Sequence, residues 1–151
     1  MTNYFIIISL AFLIISCNTL PVENYYIPKD FEGNIAIIYK KDGSKPDKIQ
    51  SWKIPQDGIL KTEHRFIEGN YVINYYQENS SNGYDTLNSY FTKKDTTKNE
   101  IVFARILTFA KGNSKDIFTA NTFYVGKKKV EDLEKDRFFF EQKLEKMLLG
   151  Q

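Results

Sequence analysis

The chain has one thiol, Cys17, and one imidazole, His64. A thiolate is a nucleophile and an acyl acceptor, and an imidazole titrates near neutrality, so nucleophilic or general-base chemistry would begin at these two residues. Neither has the company that catalysis needs. Cys17 closes the apolar run "FLIISC", with no folded pocket around it to lower its pKa. His64 sits in Glu63-His64-Arg65 at a strand end, where a lone histidine is expected to be a solvated surface residue without a positioned nucleophile or orienting group. The carboxylates Glu131, Asp132, Glu134 and Asp136 alternate with Lys127 to Lys129, Lys135 and Arg137, which is the pattern of a solvated helix face rather than a metal site. A glycosidase-type pair of acids, whose members lie far apart in sequence, stays open. With one histidine there is no His-rich metal site, and CxxC, HExxH, P-loop, GxGxxG and GxSxG patterns are all absent, so no metal or cofactor is expected.

Tyrosine is the other chemically useful side chain, ten in number. It offers a large contact area at little rotamer cost, and Tyr75, Tyr76 and Tyr84 form the candidate binding surface, with Tyr25-Tyr26 and Tyr90 as further members of the set. The competing explanation is that aromatic residues favour strands and pack across them.

The elements that must position these groups read as short strands separated by turns. Asn34 to Lys40 places Ile35, Ile37 and Tyr39 on one face and Ala36 and Ile38 on the other, so it is expected to be a central strand. Lys48 to Ile54 puts Trp52 and Ile54 on one face. Ile59 to Glu63, Tyr71 to Gln77, Tyr84 to Phe91, Ile101 to Phe109 and Ile117 to Val125 complete the set. In the longest of these, Ile101, Phe103, Leu107 and Phe109 alternate with Val102, Ala104 and Ile106. From Val130 to Leu149 the period changes to that of a helix, with Leu133, Phe140, Leu144 and Met147 on one stripe and Phe138 and Leu149 opposite. The expected fold is all-β, an antiparallel sandwich of about seven strands, immunoglobulin-like or transthyretin-like, with one C-terminal amphipathic helix.

A length of 151 residues suits one domain, and a single cysteine allows no internal disulfide. Lys and Arg number 21 against 19 Asp and Glu, interleaved along the chain; without a basic stripe to neutralise phosphates, no nucleic acid is expected as a partner.

Residues 1–16 contain no charged side chain, and Phe5 to Ile15 is apolar except for Ser9. Eleven helical residues reach roughly 16 Å, about half of a hydrocarbon core, so this is a signal-peptide core rather than a membrane span. Leu13-Ile14-Ile15-Ser16-Cys17 resembles the lipobox of bacterial lipoproteins, although no Lys or Arg precedes the apolar run. The resemblance implies cleavage between Ser16 and Cys17 and acylation of Cys17. Two or three acyl chains hold firmly, at about 0.8 kcal/mol per buried CH2. It also implies a partner, the membrane itself. Asn18 after the cysteine implies an outer-membrane anchor facing the periplasm if the host has two membranes.

"YIPKDFEG", Tyr26 to Gly33, and "WKIPQDGILKT", Trp52 to Thr62, resemble a family of small bacterial proteins of unknown activity, many of them expected lipoproteins, over about residues 26–125. Its pattern is Ile-Pro-x-x-Phe-x-Gly followed by Ile-Pro-x-x-Gly-Ile-Leu-x-Thr, and it implies no catalytic residue. Pro28 and Pro55 are expected to fix φ where strands begin, and Gly58 to take a positive φ.

The domain plan is a signal peptide over 1–16, a lipidated tether over 17–30, a β domain over 31–126 and the helix within 127–151. The expected role is that of a lipid-anchored cell-envelope protein that binds or supports an envelope protein partner and catalyses nothing. Two alternatives stay open. A small envelope hydrolase would show a cleft with two close acids of raised pKa, and an inhibitor or immunity-type protein would show a contiguous exposed aromatic patch.

Overall fold

The computed structural model describes residues 20–90, 99–110, 117–128 and 130–150. Ser16 and Cys17 lie outside the described residues. Nine strands are described: β1 Val22–Ile27, β2 Gly33–Tyr39, β3 Ile49–Lys53, β4 Ile59–Lys61, β5 Val72–Glu78, β6 Tyr84–Leu87, β7 Ser89–Tyr90, β8 Glu100–Ala110 and β9 Ile117–Gly126. One helix, α1, covers Val130–Leu149.

The strands form two sheets, ordered β3-β1-β5-β6 (sheet A) and β4-β2-β9-β8-β7 (sheet B). Both are mixed, which corrects the antiparallel expectation. The turns after β1, β2, β3 and β4 are not hairpins; each carries the chain across to the other sheet. Alternate strands therefore share a sheet and run the same way where they pair: β1 is parallel to β3, two strands on, and to β5, four strands on, and β2 is parallel to β4. Antiparallel pairing is confined to β2 with β9, β5 with β6, and β8 with β9.

The inner faces of the sheets meet over one core. Tyr25, Ile27, Tyr75 and Leu87 come from sheet A, and Ile35, Ile37, Tyr39, Ile101, Phe123 and Val125 from sheet B. Phe123 is the keystone of the contact, its ring 5.6 Å from that of Tyr25 and 5.0 Å from that of Tyr75. The outer face of sheet B is covered by α1: Leu144 packs on Ala36, Ile38 and Ala120, and Leu133 on Val102 and Tyr124. Arg105 on β8 pins the helix through an ion pair with Glu141. Met147, expected on the buried stripe, is exposed, while Leu149, expected opposite, is buried. Gly150 then closes the helix with φ 66°, its N–H donating to Lys146 O at 3.0 Å.

Three further departures bear on the site. The stretch read as tether contains β1, the strand between β3 and β5 in sheet A. Pro28 and Pro55 follow the ends of β1 and β3 instead of opening strands. In β8 the register with β9 shifts between Val102 and Arg105, so Ile101 faces the inter-sheet core while Leu107, opposite Ala120, faces the helix. This bulge breaks the single alternation expected for β8, because an extra residue inverts every side chain beyond it. Gly58 does take a positive φ, 75°; a Cβ there would lie 2.6 Å from Asn34 O.

Candidate functional site

At the end where β1 begins, the two sheets part to leave a cleft of about 480 Å³. Glu23 and Ile73 line it from sheet A, Tyr39, Ile106 and Asn121 from sheet B, and Phe66 and Tyr71 from the chain between β4 and β5. Strand alternation explains the lining. In β1 the residues Glu23, Tyr25 and Ile27 share the inner face, so a carboxylate sits one step outward from the aromatic core. The β8 bulge turns Ile106 to the same side, opposite Asn121 of β9.

Glu23 is only 7% exposed. Its Oε2 accepts a hydrogen bond from the Tyr25 hydroxyl, which in turn accepts from Asn121 Nδ2 at 3.4 Å and lies 3.4 Å from the Tyr39 hydroxyl. No Lys, Arg or His among the described residues forms an ion pair with it. Burial raises the Glu23 carboxyl above the ordinary 4.5, and the Tyr25 hydrogen bond offsets part of that rise. Burial first, and the Glu23 charge second, push up the Tyr39, Tyr71 and Tyr75 hydroxyls as well. The result is an acid in an aromatic cleft that has a tyrosine hydrogen bond but no cationic partner among the described residues.

The residues singled out in the sequence fall elsewhere. Tyr75 is 4% exposed and stacks on Tyr25 inside the core, so it is removed from the candidate binding surface. Tyr76 and Tyr84 lie on the outer face of sheet A with Tyr26, whose ring centroid is 5.2 Å from Tyr76 and 4.9 Å from Tyr84. His64 contacts Ser44, Oγ to Nδ1 at 2.9 Å, beside an isolated bridge between the same two residues. The pair has the spacing of a nucleophile and base. Among the described residues no carboxylate hydrogen-bonds the imidazole, whose ring also lies 5.5 Å from that of Trp52, and the Ser44–His64 contact joins two loops. Of the acidic run, Asp136 pairs with Lys128 at 2.6 Å, and Asp132 and Glu134 face solvent. Among the described residues no group of three or more His, Cys, Asp and Glu side chains is placed to hold a metal. No described helix is long and apolar enough to cross a membrane.

Glu23 was missed because Pro21 and Pro28 bracket a short, partly polar stretch that reads as linker. The signal was present: if "VENYYI" is taken as a strand, the period of two puts Glu23 on the face of Tyr25 and Ile27, an inward-pointing charge.

No protein-family model matches the sequence. No curated protein matches it either. Among solved structures, the crystal structure of a "Putative Lipoprotein" from Bacillus anthracis is similar over 69% of this chain and 68% of that one, with 17% identity and a TM-score of 0.48. A likeness at that level says nothing of activity or ligand.

Proposed function

We propose that this is a lipid-anchored bacterial cell-envelope protein whose domain binds a small ligand in the cleft between its sheets and catalyses no reaction. One observation carries the binding role: Glu23, buried and without an ion-pair partner among the described residues, lines an open, aromatic-walled cleft. A buried, uncompensated acid is costly to keep and marks a functional position. The non-catalytic reading is supported by the described lining, which holds a single acid where the hydrolase alternative requires two.

The anchor is supported by Leu13 to Cys17. Cys17 is five residues before the start of β1, and five residues reach at most about 18 Å, so acylation there would hold the cleft end of the domain against the bilayer. Leu20, Ile49 and Val72 are exposed at that end, consistent with an apolar surface below them. Asn18 supports an outer-membrane anchor facing the periplasm in a cell with two membranes.

The test is calorimetric titration of the full-length protein in maltoside micelles with neutral, anionic and cationic small molecules, beside Ile106→Trp. Ile106 is half exposed, so a larger side chain fills the cleft without disturbing the core. Saturable binding of at least one class, lost in Ile106→Trp, is expected; no binding by any class overturns the cleft reading.

A second reading, docking of an envelope or inhibited protein partner, is favoured by the Tyr26, Tyr76 and Tyr84 cluster on the outer face of sheet A, where Tyr84 is exposed. Photo-crosslinks placed at Tyr84 and lost in Tyr76→Ala would support it, and crosslinks unchanged by that substitution would remove it.

A further inference from the structure

We propose that the cleft is a site for an organic ammonium group, with Glu23 as its counter-charge and the rings of Tyr39, Phe66 and Tyr71 as its walls. This rests on the cleft being a binding site.

The electrostatics of the lining select the ligand. An anion would meet the Glu23 carboxylate with no cationic side chain of the described lining to receive it. A neutral ligand would leave that charge as uncompensated as before. A cation supplies the missing charge, and the faces of tyrosine and phenylalanine attract cations through their quadrupoles, most strongly where water is excluded. A small hydrated metal ion is a poor match, because the described lining offers one carboxylate and no second acid or imidazole. An ammonium carried on carbon suits the mixture better: its methyl or methylene groups contact Ile73, Ile106 and Phe66 while its charge meets Glu23. The hydrogen-bond network is already arranged for this. Tyr25 occupies Oε2 and is itself held by Asn121, so the carboxylate is fixed in direction before a ligand arrives. Tyr39 and Phe66 meet edge to face at 5.3 Å, which fixes one wall. Free amines and the headgroups of choline or ethanolamine lipids share this chemistry.

The experiment is calorimetric titration of the full-length protein in maltoside micelles with choline and with ethanolamine, against 3,3-dimethylbutan-1-ol, the neutral carbon counterpart of choline. The expected result is saturable binding of at least one of the two ammonium compounds, at least about tenfold tighter than the neutral alcohol. Glu23→Gln, which keeps shape and a hydrogen-bond acceptor, should weaken it by about tenfold or more, and Tyr71→Leu, which removes one ring face, by several-fold. Equal binding of the neutral alcohol, or binding untouched by Glu23→Gln, overturns the ammonium assignment while leaving a binding cleft in place. Absence of binding by every charge class removes both. Adding phosphatidylethanolamine or phosphatidylglycerol to the micelles then separates the sources. Displacement by the first alone identifies a lipid headgroup, and displacement by neither identifies a free amine; displacement by both, the anionic lipid included, contradicts the assignment.

Discussion

Phe123→Ala removes the ring on which the two sheets meet. Phe123 is 2% exposed and contacts Tyr25 and Tyr75 from the opposite sheet. Truncating a buried phenylalanine costs about 3–5 kcal/mol, the transfer of the ring plus the cavity it leaves. Two aromatic contacts, each about 0.5–1.5 kcal/mol beyond area burial, place the expected loss toward the upper half of that range, about 4 kcal/mol. With a urea m-value of about 2 kcal/mol/M, the unfolding midpoint should fall by about 2 M. The assay is urea unfolding of the full-length protein in nonionic detergent, followed through Trp52, the single tryptophan, which packs against the same core. Phe138→Ala is the control: Phe138 is 57% exposed on α1, and its loss should fall within about 0.5 kcal/mol. A loss below about 1 kcal/mol for Phe123→Ala would refute the shared inter-sheet core, and with it the wall that shapes the cleft.

Glu23→Gln should show the energetic cost of the buried acid through pH. Because the folded-state pKa is raised, the folded chain keeps a proton that the unfolded chain releases, so the contribution of Glu23 to stability falls as pH climbs above about 4.5. The variant should match wild type near pH 4 and have the higher Tm at pH 7.5; a gap of the same size at both values would contradict the raised carboxyl. Gly58→Ala should destabilise by about 1–3 kcal/mol, read as a Tm lowered by several degrees, because φ is 75° and the new Cβ meets Asn34 O. An unchanged Tm would mean that the turn relaxes freely. Leu144→Ala, at a fully buried position of α1, should cost about 2–5 kcal/mol by urea unfolding. A cost under about 0.5 kcal/mol would mean the helix does not depend on this contact with sheet B.

The sequence was most legible where a period ran unbroken. Ile35, Ile37 and Tyr39 against Ala36 and Ile38 gave β2 its two buried faces, one toward sheet A and one toward α1, and the helix appeared over the expected residues. Its buried stripe was right at Leu133 and Leu144 and wrong at Met147, which is exposed, and at Leu149, which is buried. Sheet assignment was illegible for a definite reason. A Gly- or Pro-containing turn signals a reversal but carries no record of whether the next strand pairs beside the last or crosses to the facing sheet, so mixed sheets read as antiparallel. The β8 bulge has no glycine or proline to announce it. The candidate site followed suit: Tyr76 and Tyr84 were placed together on a surface, Tyr75 was misplaced because period alone does not say which face is covered, and Glu23 was hidden in a strand taken for linker.

The proposed anchor at Cys17 and the cleft, whose first lining residue Glu23 follows six residues later, are tested most directly by the intact mass of the protein recovered from the membrane fraction, beside Cys17→Ala. The expected result is a chain beginning at Cys17 and carrying acyl chains, with both the added mass and detergent partitioning lost in the variant. An unacylated, freely soluble product would contradict the lipid anchor and remove the bilayer from beneath the cleft.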